Sequence, residues 1–271
     1  MRKLSLILTA MLATACSPSN VGSPGSETDT GDPGESRPSA APASIYADAV
    51  ANPSRLAEDR SRDSDRKPAE VLEFIGIEPG MTVLDMFAGG GYYTEIVANI
   101  VGETGNVIAQ TNEAYLAFVG NEFARRFGNN RLANVEILMA ENNELELAAE
   151  SVDAIMLVLS FHDLYSVNAE QGWPKIDVPA FLAELHKGLR PDGRVGIIDH
   201  YAAAGSPAET GNTTHRIDPA IVIANMKDAG FVLEAQADFL RNPDDDYSKS
   251  VFEPTLRGRT DRFVMRFKKA D

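Results

Sequence analysis

From about residue 67 onward the chain alternates short apolar runs with stretches of helical spacing. Pro68 opens a helix over Ala69 to Ile75, and Pro79-Gly80 then breaks the pattern. Met81 to Met86 is an apolar run, Ala88-Gly-Gly-Gly91 interrupts it, and Tyr92 to Ile100 returns apolar positions every three or four residues. Val107 to Gln110, Val135 to Met139 and Val152 to Leu159 read as three more strands. The last of these is almost continuously apolar, as a strand buried on both faces is. Phe181 to Leu189 has helical spacing and stops at Pro191-Asp-Gly193, before a fifth strand over Arg194 to Ile198. Asp218-Pro219 caps a helix running to Ala229, closed by Gly230. Phe231 to Phe239 and Arg262 to Lys268 alternate apolar and polar residues, as an antiparallel pair does. The expectation is an α/β fold: a doubly wound, mostly parallel seven-stranded sheet with an antiparallel C-terminal pair. Ligands in such sheets sit beyond the carboxyl ends of the strands, so the residues after each strand matter most.

The first 43 residues follow other rules. Met1-Arg2-Lys3, the apolar run Leu4 to Leu12 and the small residues Ala13-Thr14-Ala15 have the layout of an export signal over 1–15. The only cysteine, Cys16, follows directly, and Leu12-Ala-Thr-Ala-Cys16 resembles a bacterial lipobox, although Ala13 stands where leucine is usual. Residues 16–43 are rich in Ser, Pro, Gly and acids, too poor in apolar surface to offset the entropy of ordering, so they read as a linker. The expected organisation is a signal at 1–15, a lipid-anchored linker at 16–43 and a folded domain at 44–271. It implies a lipoprotein held by Cys16 on the periplasmic side of a bacterial membrane.

Composition removes several classes. The net charge is −15 over 271 residues, which repels phosphate backbones and argues against a nucleic-acid binder. No apolar run reaches the roughly 18 residues that a membrane-spanning helix needs. A small-molecule partner is expected; oligomeric state is not readable.

The first strand runs into Val83-Leu-Asp-Met-Phe-Ala-Gly-Gly-Gly91. Glycines at a strand–helix turn let the backbone approach a ligand closely, at a helix N-terminus that offers free N–H groups. In this position the run resembles motif I of the class I S-adenosylmethionine-dependent methyltransferases, usually Asp/Glu-x-Gly-x-Gly-x-Gly. Asp85, Gly89 and Gly91 match it and Phe87 replaces the first glycine. The resemblance implies a Rossmann-like methyltransferase fold and S-adenosyl-L-methionine as cofactor. Its methionine part would lie over Ala88, Gly89, Gly90 and Gly91, with Asp85 anchoring the loop or the cofactor's amino group. Glu141, Leu145 and Asp153 fall at the family's spacings after the third strand. The resemblance makes Glu141, beside Asn142, the adenine partner; a solvated loop acid is the other reading. Where the family usually ends its second strand on a ribose-binding acid, this chain has Gln110-Thr111-Asn112-Glu113. Thr111 then stands where the acid is expected, with Gln110 or Asn112 to hydrogen-bond a ribose or Glu113 to reach back to it. Arg66-Lys-Pro68, Phe161-His-Asp-Leu-Tyr165, Asp199-His200 and His215-Arg-Ile-Asp218 resemble marks of a group of exported methyltransferases.

Two of the four histidines follow strands and a third precedes a helix. His162 and Asp163 follow the fourth strand, Asp199 and His200 follow the fifth, and His215 precedes the Asp218 helix. Imidazoles titrate near neutrality and can deprotonate a nucleophile before methyl transfer, so His162, His200, His215 and Asp163 are the catalytic candidates. A second reading stays open, in which His162, His200, His215 and Asp199 hold a divalent metal for other chemistry on the same fold. A third is a binding lipoprotein without catalysis. Arg216 is placed to meet a substrate anion or to pair with Asp218. Tyr92, Tyr93, Phe161 and Tyr165 read equally as pocket lining or as core. His186 reads as a surface residue.

Overall fold

The computed structural model describes residues 44–270. The expected signal, the expected lipid attachment at Cys16 and the expected linker therefore lie outside the described residues. In chain order the strands are β1 Thr82–Met86, β2 Asn106–Thr111, β3 Val135–Met139, β4 Val152–Val158, β5 Leu189–His200, β6 Phe231–Ala237 and β7 Arg262–Lys269. They form one sheet in the order β3-β2-β1-β4-β5-β7-β6. The first five are parallel to their neighbours, and β7 runs antiparallel to both β5 and β6. The helices are α1 Ile45–Ala51, α2 Asp63–Arg66, α3 Pro68–Ile75, α4 Tyr92–Val101, α5 Glu113–Val119, α6 Asn121–Phe127, α7 Val178–Gly188, α8 Thr210–Thr213 and α9 Pro219–Asp228.

Each face of the sheet buries one layer. Leu182, Leu185, Val222 and Met226 of α7 and α9 pack on one side with Leu84, Leu157 and Ile197. Leu72 and Ile75 of α3 and Ile96 and Val97 of α4 pack on the other with Val83, Met156 and Ile198. Alternate residues of β1 and β4 thus enter opposite layers, which is why β4 carries no polar residue between Ala154 and Val158. Local chemistry sets the helix starts. The Asp177 carboxylate accepts from Ala180 N at 3.1 Å and that of Asp218 from Ala220 N at 2.9 Å, each with proline in the first turn.

The structure moves several expected boundaries. Helix α7 begins at Val178 because Asp177 caps it, and β5 begins at Leu189. Strand β5 carries the Pro191-Asp-Gly193 break as an irregularity in its pairing with β4, between the partners of Val152 and Ala154. Strand β6 ends at Ala237. Helices α1, α2, α5 and α6 have no counterpart in the sequence reading.

Arg216 meets neither a substrate nor Asp218. It is fully buried and donates two 3.0 Å hydrogen bonds to the Asp245 carboxylate, while Asp218 caps α9. The excursion between β6 and β7 brings Asp245 there, and Asp261 N donates to the same carboxylate at 2.8 Å. Removing one member of a buried pair strands the other charge. The variant Asp245→Ala is therefore expected to lose about 3–5 kcal/mol in urea unfolding.

Candidate active site

The turn after β1 is left-handed at three of its five residues, with φ of 52° at Phe87, 58° at Gly89 and 77° at Gly91. At Gly91 an added Cβ would lie 2.4 Å from the Phe127 ring and 2.5 Å from Arg126, so its bare backbone is needed for α6 to close against the turn. Phe87 adopts the left-handed region without being glycine. Its ring packs against Tyr115 at 5.3 Å and Phe181 at 5.9 Å, and this burial offsets the backbone strain.

Gln110 holds the turn from β2. Its Oε1 accepts from Phe87 N at 3.0 Å, and its Nε2 donates to Ala140 O at 2.8 Å and to Asn142 Oδ1 at 3.2 Å. One buried amide thus ties the ends of β1, β2 and β3 together. Asn142 belongs to that tie, and Asn112 Nδ2 donates to Glu141 at 3.2 Å. Asp85 accepts from the Thr94 hydroxyl at 2.6 Å, which fastens α4 to β1.

Two buried hydroxyls, Thr111 Oγ1 at the end of β2 and Ser160 Oγ just after β4, have no partner among the described residues. Strands β2 and β4 flank β1, so these hydroxyls stand on either side of the glycine turn. A polar ligand lying over that turn would satisfy both, and the residues present fit such a group.

The imidazoles gather at the ends of β4 and β5. His162 Nδ1 lies 2.8 Å from Asp199 Oδ1, and its Nε2 lies 3.3 Å from Asp163 Oδ1. His215 Nδ1 lies 3.8 Å from that same Asp163 oxygen. The rings of His200 and His215 stand 5.9 and 5.4 Å from that of His162. Tyr115 donates its hydroxyl to Asp163. His200 Nδ1 lies 2.6 Å from Thr260 Oγ1, which also accepts from Arg262 Nε at 3.0 Å. Burial alone would lower the His162 pKa, but Asp163 and Asp199 outweigh it and raise the imidazole to about 9. Burial, joined by the charges of His162, Arg262, Arg216 and Arg66, pushes His200 well below its ordinary value. His162 therefore carries its proton at neutral pH and His200 does not.

His162, His200, His215, Asp163 and Asp199 are thus brought together as expected, while Asp199 serves as the backing partner of His162. Tyr92, Tyr93 and Phe161 are core residues. Tyr165 accepts from Asn225 at 2.6 Å. His186 is half-buried on Phe231 at 5.1 Å, away from the cluster. Tyr115 and Thr260 were missed. Tyr115 lies in a helix that the sequence pattern does not announce, and Thr260 sits on a loop that is adjacent to His200 only in three dimensions.

Comparison with known proteins bears on the fold. The family model for protein-L-isoaspartate(D-aspartate) O-methyltransferase matches residues 41–148. Over 130 residues the chain is 28% identical to the ubiquinone/menaquinone biosynthesis C-methyltransferase UbiE of Escherichia coli O1:K1, which is 48% of this chain and 46% of the relative. The match thus spans about half the length of the curated relative. Among solved structures, a SAM dependent methyltransferase from Aquifex aeolicus superposes with a TM-score of 0.51 at 24% identity, covering 77% of this chain and 98% of that one. The arsenic(III) S-adenosylmethionine methyltransferase of Chlamydomonas reinhardtii gives 0.51 at 18% identity, covering 85% and 75%. Those two likenesses show the fold. Together with the motif and the family-model match over residues 41–148, they give the chain the fold of the class I S-adenosylmethionine-dependent methyltransferases. S-adenosylmethionine is the cofactor that this class implies.

Burial lifts the Asp85 carboxyl to about 6, against 3.8 for the free group, although the Thr94 hydrogen bonds oppose the rise. The folded state therefore binds the extra proton. The stability this confers is complete below about pH 4 and disappears as the pH rises through 6. A shift of this size corresponds to roughly 3 kcal/mol. Urea midpoints measured from pH 4 to 7 should fall in the wild type relative to Asp85→Asn, whose neutral amide removes that slope.

Proposed function

We propose that this protein is an S-adenosylmethionine-dependent methyltransferase acting on a small-molecule acceptor. One observation carries the reading: the glycine turn after β1 and the histidine cluster after β4 and β5 open off the same edge of one sheet. Gly89, Gly90, Thr111, Ser160 and Glu141 are the residues that would hold the cofactor, with Asp85, Gln110 and Asn142 keeping the turn in shape. When bound, the cofactor supplies an electrophilic methyl group on a sulfonium sulfur. In-line transfer from it needs chiefly positioning and a route for the acceptor's proton. His200 is neutral and buried beside Thr260, which suits it to take that proton. His162, held protonated between Asp163 and Asp199, suits a developing negative charge on the acceptor.

The named relatives act on chemically different molecules, so the acceptor is defined here only by class. The surface charge of −15 favours a small molecule over a nucleic acid. The chain's first residues support export and attachment through a lipid on Cys16, with residues 16–43 as linker and 44–271 as the catalytic domain. No helix among the described residues is long and apolar enough to cross a membrane.

Calorimetric titration of S-adenosylmethionine and S-adenosylhomocysteine into the purified chain tests the reading. Micromolar binding is expected, abolished in Gly89→Arg and weakened about tenfold in Glu141→Ala, a loss of one charge-assisted hydrogen bond. Heat flow indistinguishable from buffer dilution with folded wild type would remove the methyltransferase reading.

A further inference from the structure

The network around His162 contains an arrangement that acid–base chemistry alone does not require. Asp199 accepts at His162 Nδ1, which fixes the ring and leaves Nε2 as the nitrogen that an ion would take in place of its proton. That Nε2 faces Asp163 Oδ1 at 3.3 Å, and His215 Nδ1 faces the same oxygen at 3.8 Å. His162, Asp163 and His215 each offer one ligand atom, and all three atoms lie within 4.8 Å of one another. Ligands bonded at about 2.1 Å around a tetrahedral ion stand roughly 3.4 Å apart. Two of these separations are within half an ångström of that value.

The supports are those of a metal site. Ligating histidines donate their second nitrogen to a carboxylate, and ligating carboxylates are themselves hydrogen-bonded. Asp199 provides the first contact and the Tyr115 hydroxyl, on Asp163 Oδ2, the second. The backbone of His215 is left-handed at φ 56°, a strained conformation for a histidine, and the buried pair made by Arg216 holds it there. Its side chain is 30% exposed, so the cluster is open on that side while His162 is closed in.

We propose that His162 Nε2, Asp163 Oδ1 and His215 Nδ1 bind one divalent first-row transition cation with an open coordination position. Two imidazoles and one carboxylate suit Zn²⁺, Fe²⁺, Co²⁺ or Mn²⁺ better than Mg²⁺ or Ca²⁺, which take oxygen ligands. Asp199 is a positioning residue here and His200, tied to Thr260, stays outside the ligand set. The open position would lie on the side where His215 is part-exposed. Resting on the methyltransferase reading, it assigns the acceptor an oxygen donor that the ion would bind and make more acidic.

The test is titration of Co²⁺ into the full chain, stripped of metal with a chelator and followed by visible d–d absorption. One equivalent is expected to bind, to be displaced by Zn²⁺, and to be lost in Asp163→Asn and His215→Gln. In Asp199→Asn the affinity should fall 10- to 100-fold, the usual cost of removing a backing carboxylate. His215→Gln changes a half-exposed side chain, so it remains informative if the buried Asp163 variant fails to fold. Absence of d–d bands in folded wild type, or equal Co²⁺ affinity in His215→Gln, would overturn the proposal. S-adenosylhomocysteine titrated into the same sample separates the two readings, since cofactor binding without Co²⁺ removes only the metal site, and the reverse only the transferase.

Discussion

The buried carboxylate of Asp199 closes β5 and accepts three hydrogen bonds, from His162 N at 2.8 Å, from His200 N at 2.7 Å and at His162 Nδ1. Two of its donors are backbone amides on different segments, so it joins the turn after β4 to the end of β5. Burying such a charge is expensive, and three donors together with an adjoining imidazolium are what make it tolerable. The places of His162 and His200 follow from it. Through His162 it also sets where Asp163 and His215 lie.

A neutral counterpart operates at the other end of the site. The Gln110 amide spans the ends of β1, β2 and β3, and no charge is involved. The Gln110-Thr111 pair, which stands where an acid is usual in this class, thus keeps the turn in place while leaving the Thr111 hydroxyl unpartnered. The two halves of the edge have different characters. Around β1 and β2 it is held by amides and hydroxyls, and around β4 and β5 by carboxylates and imidazoles.

Most of the sheet is legible in the sequence because its strands are short, apolar and punctuated. The runs at 83–86 and 152–158 and the Asp218-Pro219 cap each carry a signal that no tertiary contact has to complete. Helices α5 and α6 do not. They are one to two turns long and mix Glu, Arg and Phe, and what orders them is contact with the glycine turn. The same limit applies to the site. His162, His200 and His215 are legible because each follows a strand or precedes a capped helix. Tyr115 and Thr260 come from an unannounced helix and from a loop 60 residues beyond His200, where local pattern holds no information about neighbours. Arg216 shows the cost of arguing from proximity along the chain, since its partner is 29 residues away.

The stretch between β6 and β7 supplies Asp245 to Arg216, Thr260 to His200 and Phe252, whose ring lies 4.7 Å from that of His215. All three contacts come from a hairpin connection at the end of the chain, outside the parallel core. Connections of this kind vary more readily than the strands they join, although Asp245 and Thr260 tie this one to the end of β5. The wall beside the histidines is therefore set from outside the parallel core, and changing the residues between those ties would reshape it without redrawing β1 to β5.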